Sequence, residues 1–301
     1  MDELGSDDAP RRGGRWLRWA SGLALAGLVW VGGNAATDAL ASDSTPVRTT
    51  ASLALLAAWG AAMFTIAVPA PTTLTIGRMI VPVTIPVFVV AALTGASAFD
   101  ATASIALALV ATLLLFTPEL GELFVQMGAY GHERRFPLRP PPAYLIPTVV
   151  TWCALCAAAL AAPLLLAARN WVLGVPVAIV AIALGRLLFP RFHRLSSRWL
   201  VLVPAGVVVH DPLVLAETAM FSRADVAGMR LAPAGTEAAD ITGPAAGHLV
   251  ELELRDFTTI TRAATKAAPR GTALHVRSML VAPSRPGRAL TAAGDRSIPV
   301  G

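Results

Sequence analysis

Charge is what this chain has least of. Only 14% of its 301 residues are Asp, Glu, Lys or Arg, against about a quarter in an ordinary soluble domain. The shortage is local. Between residues 51 and 117 the only charged side chains are Arg78 and Asp100, which excludes a conventional solvated surface there and makes lipid the expected solvent. Cysteine is nearly absent too. Cys153 and Cys156 lie three apart inside one apolar run, on one helix face, with no His or carboxylate beside them in that run. They exclude a disulfide framework and a four-ligand zinc site, which leaves packing as their expected role. No GxGxxG, P-loop lysine, GxSxG or HExxH motif occurs, so the common phosphate, hydrolase and zinc signatures are missing. His132, His193, His210, His248 and His275 are scattered. A metal trio of His210, His248 and His275 has no spacing to favour it, so neither metal nor cofactor is expected.

Six long apolar runs are present, near Trp16–Asn34, Ala51–Val68, Met79–Ala98, Ala101–Thr117, Tyr144–Ala168 and Trp171–Phe189. A bilayer core about 30 Å thick is crossed by roughly 17 to 25 apolar residues in a helix. Arginine marks the sides. Arg11, Arg12, Arg15 and Arg18, then Arg78, then Arg134, Arg135 and Arg139, then Arg186, Arg191, Arg194 and Arg198 fall on one side; only Arg48 and Arg169 fall on the other. The positive-inside rule then predicts an integral membrane protein with both termini in the cytoplasm; arginine outnumbering lysine 23 to 1 suggests a GC-rich bacterial genome, and so the bacterial cytoplasmic (inner) membrane. The net charge of +5 comes mostly from these membrane-flanking arginines, so anionic lipid, not nucleic acid, is the expected partner. Arg134, Arg135, Arg139, Arg191, Arg194 and Arg198 are the candidate anionic-lipid contacts.

The first run has a rival reading, because an Arg-rich start, an apolar stretch and Ala39-Leu40-Ala41 together resemble a cleavable signal. A long, partly acidic leader and the polar stretch Asn34–Ala41 favour a retained span. Pro82 and Pro86, one turn apart, predict a kink in the third span. Arg78 and Arg186 lie within a turn or so of span ends and can snorkel, so no span carries a charge at its centre and the usual mark of an ion pathway is missing. Asp100 falls at an external boundary. In the long connection 118–142, Leu120, Phe124 and Met127 recur at helical spacing, predicting a short interfacial helix. Glu119 and Glu122 are expected to be hydrated or paired with arginine, and the basic, proline-rich remainder to run extended near headgroups.

After Arg198 the period falls to two. Strands are expected at Arg198–Val203, Gly206–His210, Leu213–Phe221, Val226–Ala232, His248–Arg255, Thr258–Ala264 and Ala273–Ala282, with a short helix at Arg285–Ala293. In His248–Arg255, Val250, Leu252 and Leu254 share one face while Glu251 and Glu253 share the other. Seven strands and a helix, with the segments Arg198–Pro212, Ala282–Arg288 and Glu133–Arg139, resemble a multi-span bacterial membrane protein family with a pleckstrin-homology-like tail. The resemblance implies a barrel plugged by its helix and carries no activity or catalytic residue. Phosphoinositide-reading members carry basic residues in the first hairpin loop; here that loop is the uncharged Pro204-Ala205-Gly206, which disfavours such a pocket.

The expected architecture is therefore an α-helical membrane bundle of about six spans followed by a small β-rich, PH-like cytoplasmic domain. Its parts are a disordered N-terminus (1–15), a membrane domain (16–192) and the β-rich domain (196–301). The expected role is non-enzymatic, with a cytoplasmic protein partner engaged through 196–301. A small-molecule or lipid permease is the alternative, although no internal repeat supports it.

Overall fold

The computed structural model describes residues 8–264 and 268–301, with side chains from Gly14 onward. Residues 1–7, part of the expected disordered N-terminus, and Lys266 lie outside the described residues. The chain forms two compact units. One takes the chain as far as Phe124 together with Val149–Arg191; the other takes Val125–Thr148 and Phe192–Gly301.

The helices are α1 (Asp8–Ala39), α2 (Thr45–Ala67), α3 (Pro71–Ile80), α4 (Thr84–Thr94), α5 (Ala98–Leu115), α6 (Pro118–Gln126), α7 (Pro142–Ala167) and α8 (Trp171–Ser196). Five stretches are long and apolar enough to cross a membrane: α2, α3 through α4 as one run of 24 residues, α5, α7 and α8. The first apolar run lies within α1, which has 32 residues. The helix α1 takes in residues 8–15. Once nucleated by the apolar segment, a helix extends at little further cost per residue.

Local chemistry sets the ends. Ser97 and Asp100 cap α5 reciprocally: the Asp100 amide donates to Ser97 Oγ (3.1 Å), which donates to Asp100 Oδ2 (2.7 Å). Gly95, at φ 118°, closes α4 in the left-handed conformation. Between α3 and α4, Val81–Val83 form a single 3-10 turn where Pro82 has no donor to give. Thr84 Oγ1 donates to the Val81 carbonyl (2.6 Å) and Trp152 Nε1 to that of Met79 (2.9 Å). Carbonyls around the break are thus satisfied from side chains, as a low-dielectric setting requires.

The helical core is drawn from α1, α2, the α3–α4 pair and α5, with Leu25, Leu74, Phe88, Ala108 and Leu115 essentially without exposure. Leu120 and Phe124 of α6 belong to the same cluster. The short helix expected here is present, and the four-residue spacing of the two residues makes one stripe that is buried in the bundle. Met127, beyond the helix end, is exposed. Among the described residues, α7 and α8 add nothing to this cluster.

The second unit is β-rich. One sheet holds β1 (Arg134–Pro137), β2 (Trp199–Val203), β3 (Gly206–His210) and β4 (Ala219–Ser222) in that order, each pair antiparallel. The other has β5 (Val226–Leu231), β7 (Val250–Arg262), β8 (Thr272–Val281) and the two-residue β6 (Ala239–Asp240), in the order β5-β7-β8-β6. Helix α9 (Pro286–Gly294) follows. Phe136, Leu200, Leu202, Val207 and Phe221 from the first sheet join Val226, Met229, Leu252 and Met279 from the second, with Ala289 and Ala293 of α9, in one core. The two sheets meet through the bridges Leu138 to Pro283 and Leu215 to Arg262.

Three strand expectations differ. The run after Gly131, expected to be extended near headgroups, contributes β1, with Phe136 and Leu138, two residues apart, both buried. The two strands expected at His248–Arg255 and Thr258–Ala264 are one, Val250–Arg262, with a register shift between Glu253 and Thr258 that lets it bend without ending. The strand expected from Leu213 begins only at Ala219, since Asp211 Oδ1 accepts the Leu213 amide (3.2 Å) and holds a turn.

Candidate functional site

The six arginines proposed as lipid contacts divide into three environments. Arg191 and Arg194 are exposed in the last turns of α8, where cations complement the negative helix end. They are open to anionic groups. Arg134 and Arg135 sit on β1. Arg135 pairs with Glu133 at 2.6 Å, both mostly buried, and its guanidinium lies 5.5 Å over the Trp199 ring. On sheet register Trp199 faces His210, and the two rings stack at 5.0 Å. His210 Nδ1 also lies 2.9 Å from Thr218 Oγ1. Burial holds the His210 imidazole below its ordinary value, with Asp211 opposing and Arg135 reinforcing.

Arg198 is not a surface group at all, which corrects its placement among the lipid contacts. Its Nε and Nη2 donate to the two Asp211 carboxylate oxygens at 2.7 and 2.6 Å, and Nη1 donates to the Arg139 carbonyl at 2.7 Å. With neither side chain exposed, the fork-on-carboxylate geometry offsets the cost of removing both charges from water. Arg139 completes the node by donating to the His248 carbonyl, and burial lowers its guanidinium pKa. Three chain segments, after β1, before β2 and after β3, therefore meet at one ion pair.

Arg78 is partnered as well. It lies two turns into the apolar run that begins at Pro71, level with the end of α5. Its Nε donates to the Leu115 carbonyl (3.0 Å), and its guanidinium rests 5.1 Å from the Phe116 ring. It caps the carbonyl end of α5, where a cation is favoured. Glu122 is buried, not hydrated, and both it and Glu119 have partners. Glu251, expected on the solvated face of β7, is buried against Arg230 (3.3 Å) and Thr236 (3.1 Å).

A cavity of about 210 Å³ lies among α1, α2 and the broken α3–α4 helix. Leu25, Gly33, Trp59, Val81 and Phe88 line it. Sequence reading anticipated the proline break but not the void beside it, which depends on three helices meeting. Among the described residues no three His, Cys, Asp or Glu side chains converge as a metal site; His275, for example, lies 2.9 Å from Thr259 Oγ1 and stacks on Phe257. Ser197 Oγ lies 3.2 Å from His193 Nε2, a contact that i, i+4 spacing along one chain segment produces. Cys153 and Cys156 are both free thiols. No family model, curated protein or solved structure matches this chain.

Proposed function

We propose that this is a non-enzymatic, six-span protein of a bacterial inner membrane, with both termini cytoplasmic, that presents a PH-like module for contacts with a cytoplasmic protein. The observation that carries the reading is β1. It comes from the connection between α5 and α7, yet it supplies the first strand of a four-stranded sheet. Counting it, the order is four antiparallel strands, then β5, the two-residue β6, β7 and β8, then a helix; with β6 set aside as a two-residue bridge, that order supports a PH-like barrel. Two apolar helices, α7 and α8, interrupt that module after its first strand. The helices thus act as an anchor wired into the module itself. Arginine asymmetry supports the cytoplasmic side, and α1, long enough at about 1.5 Å per residue to cross a bilayer, is the sixth span. Arg191 and Arg194 steady the anchor on anionic headgroups.

The test uses the full chain in living cells. Photoreactive residues replace Met220 and Phe257, both exposed large side chains on the β unit. A discrete adduct with a cytoplasmic protein at either position, absent from exposed Leu53 on α2, is the expected result. Adducts with lipid alone, or the same adducts from all three positions, would contradict it.

A second reading, a permease for small molecules or lipids, draws on the cavity beside the proline break. Reconstituted vesicles that lose flux on Pro82→Ala and Pro86→Ala substitution would favour it; no flux across a broad substrate panel would count against it.

A further inference from the structure

We propose that the cavity between α1, α2 and the α3–α4 break is a binding site for a single hydrocarbon chain, entered sideways from the bilayer. The argument begins with what the walls offer. Apart from Ser52 at the exposed rim, the lining donors are already used. Trp59 Nε1 donates to the Leu25 carbonyl (3.1 Å), Thr84 Oγ1 to that of Val81 (2.6 Å) and Thr37 Oγ1 to that of Gly33 (2.8 Å). No charged residue lines the space. A polar solute entering here would leave its hydrogen bonds to water behind and find no replacement. Hydrocarbon loses nothing, and it gains the dispersion contacts that an empty void forfeits.

Size and access agree with that occupant. Apolar cavities of about 150 Å³ take up benzene, so about 210 Å³ admits a longer segment of chain. Leu56 lines the cavity and is also 57% exposed on the outer flank of α2, which puts the mouth on a surface that lipid covers. The two adjacent glycines of α1 then have opposite meanings. A side chain at Gly32 would strike Phe88, whose Cζ stands 2.5 Å from the would-be Cβ, whereas at Gly33 nothing stands within 4 Å. Gly32 seats Phe88 as one wall, and Gly33 keeps the space beside it open. The site is independent of any partner for the β unit.

Trp59 reports on the site. The full-length protein is reconstituted in phosphatidylcholine brominated midway along one acyl chain, and Trp59 emission is taken as the difference from Trp59→Phe. Strong quenching is expected, and Gly33→Leu, which fills the space from inside, should cut that quenching to roughly half or less. Ala58→Leu, from the facing helix, provides a second filling variant should the first fold poorly. An unquenched Trp59, or equal quenching in the parent and in a folded filling variant (an ordinary lipid contact at the surface), would overturn the proposal.

Discussion

Arg198 and Asp211 hold one another through two hydrogen bonds of 2.7 and 2.6 Å with no exposure of either side chain. Removing one member strands the other as a buried charge, which costs about 3–5 kcal/mol in comparable pairs. Arg198→Met or Asp211→Asn should therefore destabilise the β unit by that order. The double variant Arg198→Met/Asp211→Leu should recover part of the loss. Pulse proteolysis of the full chain, following cleavage within the β unit, measures all three.

The strand from the helix connection should matter as much as any strand of the C-terminal region. Phe136 is 1% exposed and packs in the same core as Leu200, so Phe136→Ala should cost about 3–5 kcal/mol. A fragment of residues 196–301 alone should unfold without a cooperative transition, and joining residues 130–141 to it through a flexible linker should restore one. Denaturant titration of Trp199 fluorescence reads both outcomes.

Much of this was legible in the chain, and the exceptions share a cause. Apolar runs, the proline break at Pro82, the alternation of Val250, Leu252 and Leu254, and the closing helix are local signals with a period of their own. β1 has four residues, too few for a period to stand out, and only its pairing with Trp199–Leu202 shows that it is a strand. Arg198 reads as one more membrane-flanking arginine until Asp211 is brought beside it from 13 residues away. Arg78 reads as a span boundary because hydropathy drops there, yet the helix already runs from Pro71, with the Thr75 hydroxyl satisfied on the Pro71 carbonyl (3.0 Å). The cavity has no sequence signature, since it is the space three helices leave.

His210 supplies a pH dependence with a definite sign. Its folded pKa is depressed, so the unfolded chain binds the proton more readily. The stability from keeping it neutral is fully present above an unfolded pKa of about 6.5 and is lost as the pH falls from there through the depressed folded value. Denaturation midpoints of the β unit should fall between neutral and mildly acid pH, and His210→Gln should flatten that slope.

Adjacent glycines in α1 should respond oppositely to the same change. Gly32→Ala meets Phe88 and should lower the melting temperature, whereas Gly33→Ala enters open space and should be neutral or stabilising by about 0.5–1 kcal/mol, the usual helix preference for alanine. Thermal unfolding in detergent, followed by helical circular dichroism, separates the two.

Thiol labelling in intact cells tests the membrane account most directly. In a chain lacking Cys153 and Cys156, a cysteine replaces Ser42, exposed between α1 and α2, or Glu237, exposed in the β unit. A membrane-impermeant maleimide should modify the residue 42 thiol at once and the residue 237 thiol only after the cells are opened. Modification at 237 in unbroken cells would contradict a cytoplasmic β unit, and with it the proposed function.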